Sequence, residues 1–132
     1  MGVITTVLTV EGGSEVGYTL SRCKYSFNQE VDDSGTPTSA LKGGVIEIET
    51  TTVADTDNFL AGWMRDPSGK KSGEIEYTDA TGQAYLKIKF QDGICINYEG
   101  EYVYYDTVGN NDYLRVKIAS PTISVGSVDF EL

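Results

Sequence analysis

Apolar and polar residues alternate along most of the chain with the two-residue period of half-buried strands. In the clearest segment, 44–53, Ile46 and Ile48 fall on one face and Glu47 and Glu49 on the other. The same alternation, strong or weak, recurs in seven further segments: 3–10, 16–29, 73–78, 83–92, 94–105, 112–120 and 122–131. The pattern predicts about eight strands.

The connections between these segments are mostly short. Residues 78–83, TDATGQ, form a Gly-containing link of hairpin type, and QDG at 91–93 is predicted to join two strands tightly. The exception is a long polar loop over about residues 30–43, which lies between two strand patterns. Loops longer than about 12 residues are uncommon in compact domains and usually bind a partner or are disordered.

One segment has a helical pattern. Asp55 or Thr56 is a suitable N-cap and Pro67 a stop signal, which predicts one short α-helix over about 56–66. Its apolar residues form one stripe, which we expect to pack in the core: Phe59, Leu60, Trp63 and Met64. The chain is thus predicted to be all-β dominated, a single domain over 1–132 built as a small antiparallel β-barrel or two-sheet sandwich with one short helix.

The charge and the cysteines limit the partners. Twenty acidic against ten basic residues give a net charge of −10, which argues against nucleic acid and anionic membrane surfaces as partners. No apolar run approaches the ~20 residues that cross a bilayer, and the first residues lack the pattern of a signal peptide, so we expect synthesis in the cytoplasm. Cys23 and Cys95 fall in strand patterns and are interpreted as buried thiols.

Residues that would carry catalysis are scarce. The chain has no histidine, which removes Ser-His-Asp and Cys-His nucleophile activation and the commonest zinc ligand. It also lacks the Gly-rich phosphate-binding motifs. Asp32 and Asp33 are adjacent but do not have calcium-loop spacing, so a solvated turn is favoured over a metal site. The sequence predicts no enzyme activity, no metal site and no cofactor.

The residues themselves resemble a known family. Four segments, in the same order and similarly spaced, carry the resemblance to Hcp-like tube subunits of type VI secretion systems, in particular the Bacteroidetes form called TssD: CKYSFNQEVDDSGTPTSALKGGVIEIE (23–49), DTDNFLAGWM (55–64), KFQDGICINYE (89–99) and TVGNNDYLRVKIASPTISVG (107–126). The resemblance covers nearly the whole chain. The sequence departs from the family pattern at AGW (61–63) and in the brief DPSGKKSG connection. These departures bear on the subgroup within the family and not on the family itself.

The resemblance implies a function in assembly. Members of that family form hexameric rings that stack into a hollow tube, which lies inside a sheath, carries a spike and is expelled with effector cargo. The long loop of the family contacts the next ring or a neighbouring subunit. The corresponding contact residues expected here are Glu30, Asp32, Asp33, Gly35, Thr36, Pro37, Thr38 and Ser39.

The net charge opposes such an assembly. Six copies bring about −60 into one ring, so salt is expected to relieve self-repulsion. Six basic residues are candidates to face acidic patches on neighbours: Lys70, Lys71, Lys87, Lys89, Arg115 and Lys117.

A second interpretation remains open on the residues alone. An eight-stranded barrel can hold one small ligand, and Tyr102 and Tyr104 share a face on which a sugar could stack. The alternative is therefore a monomeric β-barrel that binds a small ligand or a carbohydrate.

Overall fold

The computed structural model describes residues 5–13, 17–28, 32–36, 42–50, 59–66, 68–102 and 112–131. Within these ranges it has eight strands and one helix. They are β1 (Thr5–Val10), β2 (Tyr18–Asn28), β3 (Lys42–Thr50), α1 (Phe59–Arg65), β4 (Lys71–Thr78), β5 (Ala84–Tyr102), β6 (Asp112–Ala119), β7 (Thr122–Val125) and β8 (Val128–Glu131). The predicted fold class, all-β dominated with one short helix, is confirmed.

Six of the strands close into a ring. The sheet order is β4-β1-β2-β3-β6-β5-β7-β8, and β4 also pairs with β5, so that β1, β2, β3, β6, β5 and β4 surround one interior. All the pairings are antiparallel. The β7–β8 hairpin extends from the edge of β5, and Phe130 of β8 stacks on Phe27 of β2 with ring centroids 4.0 Å apart.

The strand β5 corrects one prediction. Residues 83–92 and 94–105 were expected to be two strands joined by a tight link, whereas β5 is one strand of 19 residues. Asp92 at the expected link has a φ of 55° and bends the strand without reversing it. The first half of β5 then pairs with β4 and β7, and the second half pairs with β6.

Other predicted strand boundaries differ as well. The segment 122–131 contains two strands that reverse at Gly126 and Ser127, since Gly126 has a φ of 62°. The strand β3 begins at Lys42, so the last two residues assigned to the long loop belong to a strand. Helix α1 spans Phe59–Arg65, and its predicted first residues, the capping residues Asp55 and Thr56, and Pro67 lie outside the described residues.

The core fills the interior of the ring. Alternate residues of the strands point inward, as in β3, where Ile46 and Ile48 are at most 2% exposed while Glu47 and Glu49 face outward. The same cluster contains Leu60 and Trp63 of α1 together with Phe90 of β5. The helix therefore contributes to the same core as the strands. In the described part of the chain, no helix has the length and apolar character needed to cross a bilayer.

Gly62 offers a test of the helix. It lies in the middle of α1, it is exposed, and a Cβ built on it would have no heavy atom within 4 Å. Because alanine loses less backbone entropy than glycine in a helix, Gly62→Ala is expected to raise the free energy of unfolding by about 0.5–1 kcal/mol. Urea denaturation of the two proteins checks this. A lower midpoint for the variant would mean that Gly62 is not an unstrained helical residue.

Candidate assembly surfaces

The long connection between β2 and β3 carries the predicted contact residues. Four of them, Asp32, Asp33, Gly35 and Thr36, are described, and all four are exposed. The other four, Glu30, Pro37, Thr38 and Ser39, lie outside the described residues. The segment 32–36 thus places polar side chains and a glycine in solvent, where a second molecule can reach them.

This segment is a compact turn. The backbone N–H of Asp32 donates to the Thr36 carbonyl at 2.9 Å, and the N–H of Gly35 donates to the Asp32 carbonyl at 3.0 Å. The Asp32 carboxylate oxygen Oδ1 accepts from the Ser34 hydroxyl at 2.6 Å and from the N–H groups of Ser34 and Thr36 at 2.9 Å each. Gly35 has a φ of 85°, a value that favours glycine. At least this part of the long loop is organised by its own hydrogen bonds.

The same turn occurs at residues 79–83, between β4 and β5. Asp79 N–H donates to the Gln83 carbonyl at 3.0 Å, and Asp79 Oδ1 accepts from the Thr81 hydroxyl at 2.6 Å. Gly82 has a φ of 87°. Both turns follow the pattern Asp-x-Ser/Thr-Gly-x, DDSGT in one and DATGQ in the other. Sequence analysis recognised the second as a hairpin link but missed the repeat of its pattern in the long loop.

The two turns keep their aspartates ionised. The hydroxyl of Ser34 and then the backbone N–H of Thr36 lower the pKa of the Asp32 carboxyl below its ordinary value. The hydroxyl of Thr81 and the backbone N–H of Gln83 do the same for Asp79. Each turn is therefore expected to hold its form at neutral pH and to lose these hydrogen bonds only as the pH falls through the lowered pKa.

Helix α1 buries most of its predicted stripe. Leu60 is 0% and Trp63 2% exposed, while Phe59 is half-buried and packs against the core. The indole Nε1–H of Trp63 donates to the Gly69 carbonyl at 2.7 Å, and its ring stacks on Phe90 with centroids 6.3 Å apart. Trp63 is a core residue.

Met64 is a correction to the predicted stripe. Its side chain is 39% exposed. At about 100° per residue, Phe59, Trp63 and Leu60 span an arc centred near Trp63, and Met64 lies about 40° beyond Leu60, at the margin of the buried face. The stripe is narrower than the sequence pattern indicated.

Charged side chains cover the outward face of β2, β3, β6 and the second half of β5. Glu47 of β3 lies between Lys24 of β2, at 3.9 Å, and Lys117 of β6, at 3.2 Å. In the next row, the Arg115 guanidinium contacts the carboxylates of Glu49 at 3.1 Å, Glu99 at 3.1 Å and Glu101 at 3.6 Å. The hydrogen bond that Arg115 donates to the Glu99 carboxylate is the largest cause that raises the pKa of Arg115.

The six basic candidates for contact with a neighbour divide into two groups. Arg115 and Lys117 are paired as above, Lys87 pairs with Glu74 at 3.5 Å and Glu76 at 3.8 Å, and the Lys71 ammonium lies 5.3 Å from the centre of the Phe59 ring. Lys70 and Lys89 have no ion pair within the described residues. Among the described residues, Lys71 has no carboxylate partner either, so three of the six keep a charge that no carboxylate pairs with, whereas carboxylates on adjacent strands pair with Lys87, Arg115 and Lys117.

Both cysteines are free thiols, but Cys23 is only half-buried, whereas both were expected to be buried. Cys95 is buried, and desolvation raises its pKa to about 11. Burial also raises the pKa of Cys23, and this effect is larger than that of the hydrogen bond with Tyr77, which lowers the pKa. Both thiols are therefore protonated, weak nucleophiles at neutral pH.

The ring has little room for a ligand. Its interior is filled by the side chains of the core cluster. Tyr102 is 65% exposed, and Tyr104 lies outside the described residues. Among the described residues, no three His, Cys, Asp or Glu side chains come together to hold a metal ion. A monomeric ligand-binding protein is not favoured.

Comparison with known proteins relates this fold to one family. The family model for hemolysin coregulated protein Hcp (TssD) matches residues 3–132. The structure of Hcp1 from Flavobacterium johnsoniae is similar with a TM-score of 0.81 and 26% identity, covering 97% of this chain and 99% of that chain. A comparison with curated protein sequences finds no match.

More distant structures share the fold. Hcp1 from Salmonella typhimurium has a TM-score of 0.76 at 11% identity, with 99% of this chain and 95% of that chain covered. The sheath–tube complex of the extracellular contractile injection system PVC has a TM-score of 0.58 at 12% identity, with 93% and 88% covered. The resemblance inferred from the sequence is confirmed by the match over nearly the whole chain. This chain belongs to the Hcp (TssD) family.

Proposed function

We propose that this protein is a non-enzymatic structural subunit that forms hexameric rings, and that these rings stack into the inner tube of a type VI secretion system. The observation that carries the proposal is the Hcp (TssD) family match over residues 3–132. The similarity in fold to the PVC sheath–tube complex, which belongs to an extracellular contractile injection system, is consistent with this proposal. The partners are then further copies of this chain and the sheath and spike proteins of the apparatus, with effectors as cargo in the lumen.

The fold suits a subunit whose work is assembly. A closed ring of strands with a filled core is a rigid body, and the compact turn at 32–36 projects exposed hydrogen-bonding groups from it. In this proposal the protein is synthesised and assembled in the cytoplasm, contraction of the sheath supplies the work, and the tube reaches the exterior on firing.

The mass of the purified protein in solution tests this proposal. Light scattering behind size-exclusion chromatography is expected to find a species of about six times 14.4 kDa. The ring concentrates negative charge, and salt screens the repulsion between its subunits. The fraction of the protein in the six-subunit species should therefore rise between low and moderate salt. A monomer at every concentration and salt would contradict the proposal.

The two matching turns allow a sharp test of the contact loop. A Cβ on Gly35 or on Gly82 would meet no heavy atom within 4 Å, and the two φ values differ by only 2°. Gly35→Ala and Gly82→Ala therefore impose the same backbone strain, worth about 1–2 kcal/mol each, at two different sites. Only Gly35→Ala is expected to weaken association of subunits or rings.

Thermal unfolding and light scattering of both variants separate the two effects. Similar losses of stability with a selective loss of assembly in Gly35→Ala would place the 32–36 turn in a contact. Equal assembly by the two variants would show that this turn is not one.

A further inference from the structure

The outward face described above has an ordered charge pattern. The charged residues named below have one sign within each strand, and the sign alternates from one strand to the next. We call this surface the striped face. Its members are Arg22 and Lys24 on β2, Glu47 and Glu49 on β3, Arg115 and Lys117 on β6, and Glu99 and Glu101 on β5. The strand register places residues of opposite charge side by side, with Arg22 opposite Glu49 and Lys24 opposite Glu47.

The striped face is neutral in a strongly acidic protein. Its four basic and four acidic residues cancel, which leaves six basic and sixteen acidic residues in the rest of the sequence. The whole excess charge of −10 thus lies on other residues. Two copies of such a chain repel one another least when one of them presents this face.

One basic group on the striped face has no carboxylate partner among the described residues. Arg22 is exposed and has no ion pair within the described residues, whereas Arg115 contacts three carboxylates. Arg22 also lines a groove of about 250 Å³ together with Glu49, Asn97 and Glu99. Its guanidinium therefore offers free donors at the border of an otherwise paired network.

From this geometry we propose that the striped face is the surface on which a second copy of this chain docks, with Arg22 pairing with a carboxylate of that copy. Because the carboxylate excess lies in the rest of the chain, the copy presents a different, acidic surface to this face. Contacts between unlike surfaces of identical chains generate rings or filaments. This inference rests on the proposed function and adds to it which surface the subunits use.

Three charge variants test the proposal. Arg22→Glu and the control Arg65→Glu both change the net charge from −10 to −12, so they raise overall repulsion equally. Arg65 is exposed at the end of α1, outside the striped face, and it too has no ion pair within the described residues. Arg22→Lys preserves the charge. Light scattering against concentration gives the midpoint of assembly, and circular dichroism and thermal unfolding confirm that each variant is folded.

We expect Arg22→Glu to raise the midpoint concentration of assembly roughly tenfold or more relative to Arg65→Glu, and Arg22→Lys to stay near the parent protein. If the parent assembles and the midpoints of Arg22→Glu and Arg65→Glu are equal, the docking proposal is overturned and the tube proposal stands. A parent that never assembles would overturn the tube proposal itself, and this inference with it.

Discussion

Trp63→Ala is expected to lower the free energy of unfolding by about 3–5 kcal/mol. The indole is 2% exposed, stacks on Phe90 of β5 and donates to the Gly69 carbonyl. Its removal leaves a cavity between α1 and the strands and an unpaired carbonyl at Gly69. Since this is the only tryptophan, unfolding of the variant has to be followed by circular dichroism rather than by indole fluorescence.

Met64→Ala is the matched control for that variant. It lies one residue further along the same helix and is 39% exposed, so its truncation is expected to cost less than about 1 kcal/mol. Equal costs for the two variants would contradict the orientation of α1, because the helix would then bury residue 64 as deeply as residue 63.

Gly73→Ala is expected to destabilise the fold by about 1–3 kcal/mol. A Cβ on Gly73 would lie 2.5 Å from Cζ of Phe90 and 2.7 Å from the carbonyl oxygen of Thr9. The Thr9 oxygen belongs to the backbone of β1, which pairs with β4 around Gly73, so relief of the clash requires movement of a strand. Chemical denaturation measures the loss.

Gly100→Ala is the corresponding control within a strand. A Cβ there meets no heavy atom within 4 Å, and the substitution is expected to leave stability unchanged or to raise it by a few tenths of a kcal/mol. If Gly73→Ala were as stable as Gly100→Ala, this would contradict the close packing of Gly73 against β1 and Phe90.

Local pattern was sufficient to predict most of the fold. The alternation in β3 and β6 identified their buried and outward residues because each of these strands has one face in the core. It did not identify β5 as one strand, because the bend at Asp92 has the polar Gln-Asp-Gly composition of a turn. Local pattern also does not indicate which strands each half of β5 pairs with, because these pairings join residues that are far apart in the sequence.

The assembly surfaces were only partly predictable. The long loop was recognised from its length and composition, but the internal order of the 32–36 turn depends on hydrogen bonds of one carboxylate, Asp32. Arg115 and Lys117 were expected to face a neighbour, and the sequence pattern did not indicate that they also pair with glutamates on adjacent strands of the same subunit. Arg22 was not among the residues predicted to face a neighbour, and only the structure shows that it lies opposite Glu49 and has no ion pair within the described residues.

Electron microscopy of the purified protein shows directly whether the subunits form rings and tubes. We expect ring-shaped particles with six-fold symmetry and a central hole, which stack end to end into tubes as the protein concentration or the ionic strength rises. Uniform small particles of one 14.4 kDa chain, with no ring under any of these conditions, would contradict the proposed function.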